Sequence, residues 1–173
     1  MSSVVPADVS LLVFRVAAGV VFLAHGYNHI WGGGKIAGTG RWFASLGMKP
    51  GWLHAWTASL TELLAGALLV LGLFTPLAGG MVVGVMLVAW ITNHRKNGFF
   101  SFRPGEGYEY VMTLTAAGLL LCGTGAGRIS LDRALGIDDF SWWTAGGCAA
   151  LGIGGALGLL LVFWRPPTPK TDS

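Results

Sequence analysis

The sequence predicts an all-α fold, a polytopic bundle of membrane-spanning helices. Of its 173 residues, 53% are hydrophobic and only 11% are charged, a composition outside the range of ordinary soluble domains. The apolar residues are also gathered into four or five segments long enough to cross a bilayer, each with very few charges. By length the chain is one domain, so we expect a single transmembrane domain over residues 1–173.

The predicted spans follow from these segments and from the residues that interrupt them. Three glycines, residues 32–34, end the first span, and Pro76 opens the third span directly after the second, so these two helices form an antiparallel hairpin. The fourth span is short and relies on interfacial Tyr108 and Tyr110, whereas the fifth has tryptophans at both ends. We place the five spans at residues 9–31, 53–74, 77–92, 108–123 and 142–164.

The connecting segments are polar and rich in glycine. Residues 32–52 contain Trp42 and Phe43 in a stretch that either lies along the membrane surface or forms a disordered loop. Residues 93–107 and 124–141 are predicted extramembrane loops, and the proline-rich residues 165–173 a disordered tail. No basic region or cleavage pattern precedes the first span, which favours a helix that is retained.

The distribution of basic residues predicts an orientation. With five spans, eight lysines and arginines fall on one side of the membrane, whereas the other side has only Arg128 and Arg133. The positive-inside rule then places the N-terminus outside and the C-terminus in the cytoplasm. The net charge of +3 is scattered over several loops, so we expect no nucleic-acid partner. The eight residues are Lys35, Arg41, Lys49, Arg95, Lys96, Arg103, Arg165 and Lys170.

Arg15 lies well inside the first predicted span, and Glu62 lies near the middle of the second. A charge deep in hydrocarbon costs about 2.5–3.5 kcal/mol on insertion scales, so such groups face the protein interior and find partners. We predict an ion pair or a water-bridged contact between Arg15 and Glu62. Such a pair either fixes the helix register or marks a functional site.

A second polar layer is predicted near the cytoplasmic ends of the spans. Histidines titrate near neutral pH and carboxylates relay protons, so this layer could protonate a quinone or line a proton path; histidines that simply reach water are the alternative. We predict no metal site, since the i,i+4 histidine pair lacks the HExxH context. Cys122 and Cys148 are interpreted as small buried residues. The layer comprises His25, Asn28, His29, His94 and Glu109.

A series of short motifs, in this order and spacing, resembles the DoxX family of small bacterial membrane proteins, relatives of the membrane subunits of thiosulfate–quinone oxidoreductase. The resemblance covers about residues 11–135. The motifs are Arg15 followed by His25-Gly26, the aromatic pair between Gly40 and Gly47, Glu62-Leu63-Leu64-Ala65-Gly66 running into Leu71-Gly72-Leu73-Phe74-Thr75-Pro76, Tyr108-Glu109-Tyr110, and Gly125-Ala126-Gly127-Arg128-Ile129-Ser130-Leu131-Asp132.

The resemblance implies a four-helix core in the bacterial plasma (inner) membrane, with residues 142–164 as an additional C-terminal helix. It also implies thiol, sulfur or oxidative-stress redox chemistry, often with a partner protein. Where family members often carry Lys after the His-Gly element, this chain has Asn28. The matching polar positions are Arg15, His25, Glu62, Glu109, Arg128 and Asp132.

The leading functional hypothesis is a membrane subunit of a quinone-linked oxidoreductase, whose electrons come from a partner because the chain has no cofactor motif. The alternatives are a non-catalytic scaffold that docks a partner through residues 32–52 and 93–107, and a transporter, which the absence of an inverted repeat disfavours. The sequence identifies neither the electron donor nor the substrate. Candidate catalytic residues are Arg15, His25, Glu62 and Glu109, and candidate quinone contacts are His29, His94 and Tyr108.

Overall fold

The protein is described here by a computed structural model, in which residues 4–138 and 141–167 form seven α-helices and one π-helical turn, with no strand in these two ranges. Four helices, counting the π turn as the end of α4, are long and apolar enough to cross a membrane, whereas α5 has 16 residues. The predicted helical membrane bundle is confirmed. The elements are α1 (Pro6–Trp31), α2 (Lys35–Ser45), α3 (Gly51–Leu71), α4 (Thr75–Ala89), the π turn (Trp90–His94), α5 (Glu109–Thr124), α6 (Leu131–Ala134) and α7 (Trp142–Phe163).

The hairpin between α3 and α4 ends its first helix three residues earlier than the sequence predicts. Gly72 adopts a left-handed conformation, with φ of 64°, and its N–H bonds carbonyls of the last turn of α3. Since this conformation ends an α-helix and suits glycine, α3 stops at Leu71. Thr75 then begins α4, with Pro76 in its first turn.

The segment for which the sequence left two interpretations open contains a helix, α2. Phe43 is buried, and it packs with Met48 and Ala55 in a small apolar cluster. Trp42, its neighbour in sequence, is 43% exposed. Residues 35–45 are therefore ordered and packed against α3, rather than a disordered loop.

Glycines allow the long helices to pack closely. A Cβ at Gly19 of α1 would lie 2.7 Å from the Gly66 carbonyl oxygen of α3, and one at Gly79 of α4 would lie 2.7 Å from the Gly118 oxygen of α5. Because lipid removes the hydrophobic drive between helices, such close backbone contact is a main source of association in membranes. α1 is thus fixed against α3, and α4 against α5.

Helix α7 packs mainly against α4, also through glycine. A Cβ at Gly152 would overlap the Gly80 carbonyl oxygen, and one at Gly84 would lie 3.2 Å from the Gly152 oxygen. The spacing of Gly154 and Gly158 suggests a similar contact from the sequence, but no atom lies within 4 Å of a Cβ at either residue. These two glycines lie on the outer face of α7, whereas Gly80 and Gly84 of α4, which have the same spacing, pack against it.

The two ends of the bundle are named by their polar residues. α1 begins at the Arg15 end and finishes at the histidine end, where α7 also finishes. There Trp164 Nε1 donates to the Leu46 carbonyl at 3.0 Å, and Arg165 N donates to the Gly47 carbonyl at 2.8 Å. Arg165, the first residue of the predicted disordered tail, is therefore held by hydrogen bonds, and residues 168–173 lie outside the described part of the chain.

Candidate functional site

A cavity of about 530 Å³ lies among α3, α4 and α7 and extends to the histidine end, where α1, α2 and the π turn also line it. We call it the histidine cavity, because all four histidines of the chain lie in its wall. Most of its remaining lining is apolar. Its principal polar residues are His25, His29, His54, His94 and Glu62.

His29 and Glu62 meet in the wall of this cavity. His29 Nδ1 lies 3.2 Å from Glu62 Oε2, and Glu62 is only 5% exposed. Side chains on a helix lean toward its N-terminus, and α1 and α3 are antiparallel, so His29 and Glu62 lean toward each other. The pair is not aligned as a hydrogen bond, and neither atom has a hydrogen-bond partner in the described residues. Both atoms are therefore buried with unused hydrogen-bonding capacity, in residues that line the cavity.

The predicted contact between Arg15 and Glu62 was wrong. Arg15 leans toward the N-terminus of α1 and Glu62 toward that of α3, so these two side chains diverge. Arg15 instead donates to the carbonyl oxygens of Leu69 and Val70, each at 2.8 Å, and to that of Ile129. Carbonyls in the last turn of a helix lack intrahelical partners, so the buried guanidinium caps α3.

The other charged motifs at the Arg15 end also bind backbone. Asp132 accepts hydrogen bonds from Phe74 N at 2.6 Å and Thr75 N at 3.0 Å, which caps the start of α4. Asp8 accepts from Arg128 N at 2.9 Å, and its carboxylate lies 3.9 Å from Arg128 Nε. Arg128 and Asp132, which match the DoxX pattern, therefore connect the chain before and within α6 to the starts of α1 and α4.

Two other candidate residues also lie outside the histidine cavity. Glu109 Oε1 accepts from Ser101 N at 2.9 Å and from the Ser101 hydroxyl, which braces the loop before α5. Tyr108 stacks on Trp90 with ring centroids 5.6 Å apart, and it is Tyr110 that lines the cavity. Of the seven candidates, the structure brings together His25, His29, His94 and Glu62. Catalytic roles for Arg15 and Glu109, and a quinone contact by Tyr108, stay predictions.

Sequence reasoning missed His54. It lies in the first turn of α3, is 3% exposed, and has a ring nitrogen, Nε2, without a hydrogen-bond partner in the described residues. Its ring contacts Phe163 of α7 at a centroid distance of 5.2 Å. The sequence does contain a pattern that could have identified His54. Thr57 and Thr61 follow it at i+3 and i+7, so the three polar side chains share one face of the second predicted span.

The cavity shows no arrangement typical of a metal centre. Within residues 4–138 and 141–167, no three His, Cys, Asp or Glu side chains are grouped closely enough to hold a metal ion. His94 is bound locally, with Nδ1 2.9 Å from the Glu106 carbonyl oxygen and Nε2 3.2 Å from Asn93 Nδ2. The histidines are thus spread along the wall rather than directed at one point.

Comparison with known proteins identifies the family. The DoxX family model matches residues 10–95. The chain is 30% identical over 125 residues to the Bacillus subtilis (strain 168) protein named "Putative oxidoreductase CatD", a match covering 72% of this chain and 86% of CatD. The chain belongs to the DoxX family. This DoxX protein is also 34% identical over 128 residues to the Escherichia coli (strain K12) inner membrane protein YphA, covering 72% of the chain and 89% of YphA.

The matched region contains the polar part of the cavity. Residues 10–95 run from α1 to just past the π turn, and include all four histidines and Glu62. Helices α5 to α7 of this DoxX protein lie beyond the residues that the family model matches. No solved structure matches the chain. The family and a relative described as an inner membrane protein support a multi-pass membrane location.

Proposed function

We propose that this DoxX protein is the membrane subunit of a quinone-linked redox system, and that the histidine cavity holds the quinone head group. The observation that carries the proposal is the buried His29–Glu62 pair, which faces an apolar cavity with unused hydrogen-bonding capacity. A relative whose printed name is an oxidoreductase agrees with this class of chemistry. A neutral ring with polar carbonyl oxygens suits a cavity that is mostly apolar with few polar groups.

The pair would bind the head group and pass it protons. Reduction of a quinone to its quinol takes up two electrons and two protons; the electrons would come from a reduced thiol or sulfur donor carried by a partner protein. His29 Nδ1 and Glu62 Oε2 are 3.2 Å apart, close enough to exchange a proton with each other. A quinone oxygen that reaches either residue from the cavity would then receive that proton. His25 is exposed and lines the same cavity, so it provides a route for new protons.

Binding of a short-chain quinone to the purified protein in lipid nanodiscs tests the proposal. Replacing Glu62 with Gln, or His29 with Gln, removes a group able to exchange protons, and we expect each change to raise the Kd about tenfold, which corresponds to about 1.4 kcal/mol. Asp138→Asn is the matched control, because Asp138 is an exposed carboxylate at the Arg15 end. Unchanged Kd values for Glu62→Gln and His29→Gln would contradict the proposal.

A second candidate function, a scaffold that docks a partner protein, is favoured by one surface. The loop between the π turn and α5 exposes three phenylalanines, Phe99, Phe100 and Phe102, the last 80% exposed. Exposed aromatic groups of this kind are typical of contact surfaces. If docking is the function, Phe102→Ser abolishes co-purification of a fixed partner while Glu62→Gln leaves it intact. Co-purification that survives Phe102→Ser, together with quinone binding that is weakened by Glu62→Gln, favours the quinone site.

A further inference from the structure

The histidine cavity is a long groove rather than a rounded pocket. Along α4 its wall is formed by one helix face that runs from Leu77 to Ala89 and continues through the π turn to His94. His94 lies seventeen residues after Leu77, so at a helical rise of about 1.5 Å per residue this wall is about 25 Å long. That length is nearly the thickness of a bilayer core. A volume of about 530 Å³ spread over this length leaves a narrow space.

The groove has a polar end and an apolar end. The histidines and Glu62 line it toward the histidine end, whereas toward the Arg15 end the lining is Leu77, Gly80 and Met81 of α4 with Cys148 and Leu151 of α7. Leu77 is 42% exposed and Leu151 is 69% exposed. Because both residues belong to helices with the length and composition of membrane spans, the apolar end is open toward the hydrocarbon of the bilayer.

We propose that this apolar part of the groove binds the hydrocarbon tail of the ligand. The ligand is a lipid-soluble molecule with one polar head at the histidines and an isoprenoid chain that lies between α4 and α7. The assignment of the head as a quinone rests on the proposed function; the tail site rests on the shape and polarity of the groove. Helix α7, which lies beyond the matched family region, would then set the preference for the tail.

Two neighbouring glycines of α7 provide a test and its control. Gly155 lines the groove, and no atom lies within 4 Å of the position its Cβ would occupy. A leucine there can enter the groove without striking the backbone. Gly154 is equally free of neighbours but does not line the groove. Gly155→Leu and Gly154→Leu therefore add the same side chain to the same helix, and only the first blocks the groove.

The experiment compares a quinone ring without a tail and the same ring with a ten-carbon tail, bound to each variant in nanodiscs of one composition. The bilayer takes up the tailed quinone equally in every sample, so differences between variants report the protein. We expect Gly155→Leu to weaken binding of the tailed quinone at least tenfold and to leave the tail-free ring unchanged, whereas Gly154→Leu matches the wild type. Unchanged ring binding also shows that the variant is folded. Equal affinity of wild type and Gly155→Leu for the tailed quinone overturns the tail site.

A second measurement separates failure of the tail site from failure of the quinone assignment. Hydrophobic molecules that co-purify with each variant are extracted and identified by mass spectrometry. Retention of a prenylated quinone by the wild type and Gly154→Leu, with loss in Gly155→Leu, supports both assignments. Retention of another single-tailed lipid in the same pattern supports the tail groove and overturns the quinone head. Retention that is equal in all three proteins overturns the tail groove.

Discussion

Two buried ionisable residues, Arg15 and Glu62, have different roles because they lie at different positions along their helices. Arg15, 1% exposed, donates to carbonyls of the last turn of α3 and to the loop before α6. Glu62, 5% exposed, lies beside His29 in the wall of the histidine cavity. Both terminal nitrogens of Arg15 are bound to backbone carbonyls outside the histidine cavity, whereas Glu62 lines the cavity with a carboxylate oxygen that has no hydrogen-bond partner in the described residues. We therefore assign stability to Arg15 and ligand chemistry to Glu62.

At the residue scale, Arg15→Met separates these two roles. The change leaves buried carbonyls without donors, and we expect a loss of about 2–4 kcal/mol in the free energy of unfolding. Thermal unfolding in detergent measures it. Arg133→Met is the control, since Arg133 is exposed and pairs with Asp138 on the surface, a contact worth about 0–1 kcal/mol. A stable Arg15→Met protein with weakened quinone binding would reverse the assignment.

At the scale of elements, close contact between antiparallel helices creates the site. α1 approaches α3 at Gly19 and Gly66, and again at Gly26, where a Cβ would lie 2.9 Å from the Ser59 carbonyl oxygen. This approach places the end of α1, with its two histidines, beside the middle of α3. In the same way the Gly80 and Gly152 contact positions α7 as the far wall of the groove.

Gly66→Ala tests the helix contact. The added Cβ would lie 2.7 Å from the Gly19 carbonyl oxygen, so α1 must move away from α3. We expect a loss of about 1–3 kcal/mol in unfolding free energy, as for other overpacked interiors, together with weaker quinone binding. Gly146→Ala on α7 is the control, because nothing lies within 4 Å of its Cβ position. There alanine stabilises the helix by up to about 1 kcal/mol. A Gly66→Ala protein as stable as Gly146→Ala would disprove the close contact.

At the scale of the whole molecule, α7 is held at the histidine end by hydrogen bonds and a cation–π contact in addition to its helix packing. Its own packing is limited, since only 11% of its membrane-length window is buried. Beyond its last turn, Trp164 donates to the Leu46 carbonyl, and Arg95 lies over the Trp164 ring at 5.4 Å. Lys49 N also donates to the Phe163 carbonyl at 3.1 Å. These bonds join α7 to the connection between α2 and α3 at the histidine end.

Trp164→Ala is expected to loosen α7 without unfolding the bundle. It removes one hydrogen bond and a cation–π contact worth about 0.5–2 kcal/mol, so the Lys49 amide should exchange with solvent at least tenfold faster. Hydrogen exchange followed by mass spectrometry measures this. Trp142→Ala, at the opposite end of the same helix and 92% exposed, should leave exchange unchanged. Equal exchange in both variants would show that the Trp164 contacts do not hold α7.

The sequence by itself determined the class of protein, the order of the long helices and the presence of ionisable groups within them, because span length and helical periodicity are local properties. It also identified His29 and Glu62 separately. Only the tertiary structure decided that these two residues meet, that Arg15 caps α3 instead, and that His54 joins the cavity. Which side chains meet depends on helix neighbours, on antiparallel direction and on the lean of each side chain, and these follow from contacts between residues far apart in the chain.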